Sequence, residues 1–235
     1  IYPSFIDLNT AYGIPPVSKT KTSDRKPQLE KKIPNTYGWN QAIKPEVAAA
    51  GMFKANAKEA KKLRNLGFGS VLTYSHDGIA RGSSALVSLG EGKENSLIII
   101  PEVAAHYSFS KGSSKQTYPS SLMGRIALLR QTYLDAEWYS KNKQREEQNL
   151  SLQAWNDLKD LPQFFDAGDK LNVLRADKIG DEFNSQYVIN GRTDGYQRIN
   201  ELKKTGASFV LSLNFPKPYD VNDPFEADNV SLAQM

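Results

Sequence analysis

The sequence predicts an α/β fold built on parallel strands. Two observations carry this. Residues 162–216 alternate strand-like runs with helical ones, in the order PQFFDAG, DKLNVLRADKIGDEF, SQYVING, YQRINELKKTG and SFVLSLNFP. Short connections between such elements imply parallel strands with right-handed crossovers. Upstream, Leu122, Ile126, Leu129, Tyr133 and Ala136 recur at helical spacing, which predicts a long helix from Ser121 to Lys141. No Walker-type phosphate loop and no GxGxxG follows any strand. The rhythm alone leaves a (β/α)8 barrel and an open doubly wound sheet as alternatives.

The elements follow in order. Residues 2–8 are rich in β-formers and predict a strand. Residues 13–50 carry Pro, Lys, Thr and Asn with little periodicity, and read as a long connection with one short helix near Pro45 to Met52. From Asn56 the spacing of Ala57, Ala60, Leu63 and Leu66 predicts a helix, with Gly67 as its stop. Ser70 to Tyr74 reads as a strand and HDGIARG as a Gly-rich turn. Ala85 to Leu89 and Leu97 to Ile100 are further strands, the second of the fully buried apolar type. KNKQREEQ is a polar tail on the long helix, and Leu150 to Leu158 a second helix with Ser151 near its cap.

Composition narrows the classes. The chain has 235 residues, 24% charged and 39% apolar, with a net charge of +4. That is the balance of a globular protein with a substantial core. No run approaches the roughly 18 apolar residues of a membrane helix, so no membrane span is expected. The basic residues are dispersed except for Lys19, Lys21, Arg25, Lys26, Lys31 and Lys32. That stretch is rich in Ser, Thr and Pro and reads as a solvated loop, not a nucleic-acid face. There is no cysteine. This removes disulfides, thiolate metal sites and a cysteine nucleophile, and fits an exported or periplasmic protein. The sequence opens on Ile1 inside a predicted strand and is expected to be a piece of a longer polypeptide.

Chemistry in α/β folds sits at the carboxyl ends of parallel strands. Those places fall on Asn9 and Ala11, His76 and Asp77, Asp166, Asn190 and Asn214. His76, Asp77 and Arg81 form the main polar cluster and a possible pocket. Two readings stand: a His-Asp general base, or a turn in which Asp77 binds local amides and His76 is exposed. His106, in VAAHYSF, reads as a packed or surface histidine. No GxSxG elbow is present. Glu137 and Glu146 read as a solvated helical face.

IYPSFIDLNTAYG resembles the first barrel strand of the amidohydrolase superfamily, where a Pro-Gly-hydrophobic-Ile-Asp run precedes His-x-His. Pro3, Ser4, Phe5, Ile6 and Asp7 keep the run, and the two ligand places fall on Asn9 and Ala11. LPQFFDAGDKLNVL resembles the fifth strand, with Asp166 in the place of a ligand His. EFNSQYVING resembles the next strand, with Asn190 in the place of another, and QRINELKKTGASFVLSLNFP continues into a seventh. LRNLGFGSVLTYSHDGIARGSSALVSL and YPSSLMGRIALLRQTYLDAEWY are similar to imidazolonepropionase-like members.

The resemblance implies an incomplete (β/α)8 TIM barrel with about seven of its eight strands, one domain over residues 1–235 with an insertion at 13–50. The remainder of the longer polypeptide would complete it. The implied activity is hydrolysis of non-peptide C–N bonds, amide or cyclic amide, in a small-molecule substrate. The family would use a hydroxide on zinc or another divalent metal. With only His76 and His106 in the chain, no metal is expected in this segment. The alternative is a catalytically silent module with a structural or ligand-binding role.

Overall fold

The computed structural model describes residues 3–17, 37–142, 148–191 and 193–211. The basic cluster from Lys19 to Lys32, Glu146 and Asn214 lie outside the described residues. The chain divides into two compact units, residues 1–164 and 165–235. The class is α/β, as expected, but the strands form two sheets that mix parallel and antiparallel pairs, and no closed barrel is found among the described residues.

In the first unit β1 (Phe5–Thr10) runs parallel to β2 (Phe68–Thr73), with Thr10 opposite Thr73. α1 (Ala49–Met52) and α2 (Ala57–Asn65) lie between them in sequence. Asn56 starts α2: its side-chain oxygen accepts from the N–H groups of Lys58 and Glu59 at 3.1 and 3.2 Å. Glu59 in the first turn, and Lys62 and Arg64 in the last, complement the helix dipole.

β4 (Ala85–Ser88) pairs antiparallel with β2, and β5 (Ile98–Ile100), entered from α3 (Glu94–Leu97), pairs antiparallel with β4. The four-stranded sheet has the order β1-β2-β4-β5. Tyr12, Phe53, Ala60, Val71, Val87 and Leu89 are in its core. The buried strand expected over Leu97 to Ile100 is corrected. Leu97 is buried at the end of α3, but Ile99 and Ile100 stand 54% and 45% exposed on an edge strand.

HDGIARG is only partly a turn. Ala80–Ser83 is strand β3, antiparallel to β6 (Ala105–Ser108). Residues 42–48 of the long connection lie along β3 as a strap. Ile43 and Ala48 bridge in parallel to Ala80 and Ser83. The Lys44 N–H donates to the Ala80 carbonyl at 3.0 Å, and the Ser83 N–H donates to the Val47 carbonyl at 2.9 Å.

α4 (Leu122–Asn142) buries Leu128, Leu129, Thr132, Ala136 and Tyr139 at helical spacing. Asn149 caps α5 (Leu150–Leu158), accepting the Leu152 N–H at 3.1 Å, and Ser151 lies two residues beyond it. Ser151 is buried, and its hydroxyl accepts the Gly38 N–H at 2.9 Å. Trp155 of α5 packs edge-on against Tyr133 of α4 and tilted against Tyr107 of β6, at 4.8 and 5.2 Å between ring centres.

The second unit opens within β7 (Gln163–Asp166). It continues through α6 (Lys170–Glu182), β8 (Tyr187–Gly191), a 3₁₀ segment (Thr193–Arg198), α7 (Ile199–Thr205) and β9 (Ser208–Leu211). β7, β8 and β9 are neighbours in that order. β8 and β9 are parallel, with Val188 opposite Ser208 and Gly191 opposite Leu211. The strand and helix rhythm of the sequence is this arrangement. Asp169 caps α6 through the N–H groups of Leu171 and Asn172, at 3.0 and 2.9 Å. The single helix expected over YQRINELKKTG is two pieces, broken at Arg198, whose φ of −131° and ψ of 30° are not helical.

Candidate functional site

The end of β1 carries Asn9 and Ala11, both exposed. The Tyr74 N–H donates to the Thr10 carbonyl at 3.2 Å, which extends the β1–β2 ladder by one residue and sets Tyr74 beside Asn9. The Tyr74 hydroxyl donates to Asn9 Oδ1 at 2.6 Å. Ala11 offers only its backbone carbonyl, which accepts the Ile14 N–H at 3.0 Å.

Tyr74 also begins a stack of rings. It lies 4.3 Å from His76 and 3.6 Å from His106, centre to centre, and His106 lies 5.2 Å from Phe164. Side chains alternate along a strand. Thus Tyr107 turns the other way, toward Trp155, and its hydroxyl donates to Gln163 Oε1 at 2.8 Å. His106 is only 2% exposed, and its Nε2 has no hydrogen-bond partner. Burial, and then the charges of Arg81 and His76, hold this imidazole well below its ordinary pKa. At neutral pH it is uncharged.

The turn after β2 follows neither sequence reading fully. His76 is exposed, as the turn reading expects, but Asp77 is buried and bound to a distant loop. Asp77 Oδ1 accepts the Ser113 N–H at 2.6 Å, and Oδ2 accepts the Ser113 hydroxyl at 2.6 Å and the Lys44 ammonium. Burial alone would raise this carboxyl. The hydrogen bonds from Lys44 and Ser113, with the Lys44 charge, outweigh it and hold the pKa below its ordinary value. Lys44 and Ser113 were not legible as site residues, because each lies more than thirty residues from Asp77 in sequence. The trio is not an activated nucleophile. The Ser113 hydroxyl donates to Asp77, and Lys44 is paired with the same carboxylate, so no base stands ready for the Ser113 proton. Arg81 is buried, and its Nε donates to the Gly78 carbonyl at 3.3 Å.

In the second unit Phe165 and Tyr187 touch at 5.1 Å between ring centres, so they share one face of β7 and β8. Alternation puts Asp166 and Asn190 together on the other face, both half-buried. The Ala167 N–H donates to the Asn190 carbonyl at 3.3 Å. Two of the expected strand-end residues are thus neighbours in each unit: Asn9 with Ala11, and Asp166 with Asn190.

These donors do not fit a zinc ion. Catalytic zinc takes three protein ligands, mostly nitrogen or sulfur. Ala11 has none to give, and the Asn9 amide oxygen is already an acceptor for Tyr74. Among the described residues no three His, Cys, Asp or Glu side chains gather as a metal would require. No helix there is long and apolar enough to cross a membrane.

A crystal structure of an amidohydrolase from Thermotoga maritima MSB8 resembles the chain with a TM-score of 0.66 over 90% of its residues, at 20% identity. The fold is amidohydrolase-like. The match spans 57% of that protein's own length. No family model matches the sequence, and no curated protein matches it either.

Proposed function

We propose that this chain is an amidohydrolase-like module with a structural or ligand-binding role, without hydrolysis of its own. The Tyr74 to Asn9 hydrogen bond carries the reading. It fills, with a phenol and an amide, the strand end where the resemblance would have two imidazoles on a metal. The neighbouring Ala11 supports it. Hydrolysis of an amide or cyclic amide C–N bond is the second reading, favoured by the likeness to the Thermotoga maritima fold. On that reading the metal ligands come from elsewhere in a longer polypeptide.

Elemental analysis tests this after the protein is incubated with zinc and dialysed against a mild chelator, with an assay on linear and cyclic amides. Substoichiometric zinc and no turnover are expected. About one zinc per chain with zinc-dependent turnover would overturn the reading. The Asn9→His/Ala11→His double variant restores two imidazoles but leaves Asp166 and Asn190, so it is expected to gain no turnover.

A further inference from the structure

We infer that the outward face of α4 is a docking surface for a second copy of this chain, the two helices crossing on a two-fold axis at Leu134. A surface helix ordinarily has one apolar face, and α4 has two. Leu128, Leu129, Thr132, Ala136 and Tyr139 make the buried one. On the opposite side Met123 is 82% exposed, and Leu134 and Trp138 are each 51% exposed, with Ala127 exposed as well. At roughly 100° per residue these four fall within an arc of about 60°. An exposed strip of large apolar side chains that includes a tryptophan is a mark of a contact surface.

The strip is its own complement. Arg130 and Trp138 stand one turn either side of Leu134, forming an i±4 ridge of the kind that crosses its like at about −50°. On a two-fold axis through Leu134, that residue meets its own copy and Trp138 meets the partner's Arg130. Indole and guanidinium attract one another, and Ala127, one turn from Arg130, leaves room for the ring. Charge fits the same register. Arg130 and Glu137 lie on one flank of the strip, four residues before Leu134 and three after it. The two-fold therefore sets Arg130 beside the partner's Glu137, twice. Glu137 is exposed and holds Lys141 of its own helix at 2.6 Å, a surface pair of small net worth. An apolar centre with opposite charges at matching reach on either side favours a second copy over an unrelated partner. One helix crossing covers less than the ~1,200 Å² of a standard interface, so the dimer is a weak one, with a Kd on the order of 10–100 μM.

The experiment is sedimentation equilibrium of the whole chain from about 5 to about 500 μM, a range that brackets this affinity. A reversible rise from monomer to dimer is expected. Leu134→Glu, which would put two carboxylates on the axis, is expected to weaken the dimer about tenfold or more. Arg130→Glu and Glu137→Arg are each expected to weaken it, and the two together to restore it. The chain has no cysteine, so Leu134→Cys adds a single reporter on the axis. Mild oxidation is expected to link it to its own copy about ten times faster or more than Met123→Cys, which is more exposed but about three turns away. Circular dichroism checks that each variant keeps its helices. A monomer at every concentration would overturn the proposal, whatever else covers the face. So would a dimer or larger assembly that persists in Leu134→Glu, since it would be built on another surface. Equal cross-linking rates at positions 134 and 123 would overturn it too.

Discussion

Gly82 of β3 lies so close to the carbonyl of Val47 that a Cβ on it would overlap the backbone. Its φ of +80° is also one that side chains rarely adopt. Gly82→Ala is therefore expected to destabilise by about 3 kcal/mol, through strain and a parted strap. Gly51→Ala in α1 meets open space and is expected to be neutral or about 0.5 kcal/mol stabilising. Urea denaturation of both variants checks the contrast.

Tyr74→Phe keeps the ring stack and removes only the hydroxyl bound to Asn9. Asn9 is exposed and can be solvated, so the loss is expected to be about 1 kcal/mol. A loss of several kcal/mol would show that the hydroxyl supports more than this one bond.

The buried neutral His106 makes stability depend on pH with a definite sign. Its folded pKa lies well below the ordinary value of 6.5. Between the two values the unfolded chain binds the extra proton, so stability rises with pH there. Full stability is expected above about pH 6.5, with a progressive loss as the pH falls below it. His106→Phe is expected to flatten this limb. Melting temperatures from pH 5 to 8 for both proteins provide the check.

Lys44, Asp77 and Ser113 are expected to act as one latch between the strap and the loop after β6. Lys44→Met leaves Asp77 with both Ser113 bonds, for an expected loss of about 1–2 kcal/mol. Asp77→Asn is expected to cost more, because a neutral amide cannot accept all three donors. A double-mutant cycle should return a coupling of about 1 kcal/mol, and additive effects would show that the ion pair contributes nothing.

Asp177 and Asp181 stand one turn apart on α6, whose last turn has no basic residue. Burial, then the Asp181 charge, raise the Asp177 carboxyl above its ordinary value. This repulsion destabilises at neutral pH and fades as the carboxyl is protonated. Asp181→Lys is expected to stabilise by about 0.5 kcal/mol, relieving the repulsion and complementing the dipole. The gain should shrink below about pH 4.

The second unit was the most legible from sequence, because its pattern is local: short apolar runs alternate with helical ones, and the last helix ends at Gly206. The helices starting after Asn56 and near Ser121 were legible for the same reason. β3 was hidden because Gly78 and Gly82 gave ARG the look of a turn, while its pairing comes from Tyr107 and from a strap more than thirty residues upstream. Ile99 and Ile100 misled because strand preference carries no information about a strand's place in a sheet. At the candidate site, Asn9, Ala11, Asp166 and Asn190 were nameable from strand ends. The Asp77 bond to Ser113 and the Tyr74 stack on His106 were not, since both join segments separated by thirty residues or more.

Residues 42–48 also bear on how far this protein tolerates shortening. Connections are ordinarily where deletions do least harm. Here the excised backbone would be the hydrogen-bonding partner of β3, and its removal would turn a sealed strand into an adhesive one. A chain cut back through this stretch would fail first by clumping with its own kind, even with every helix and every core residue intact.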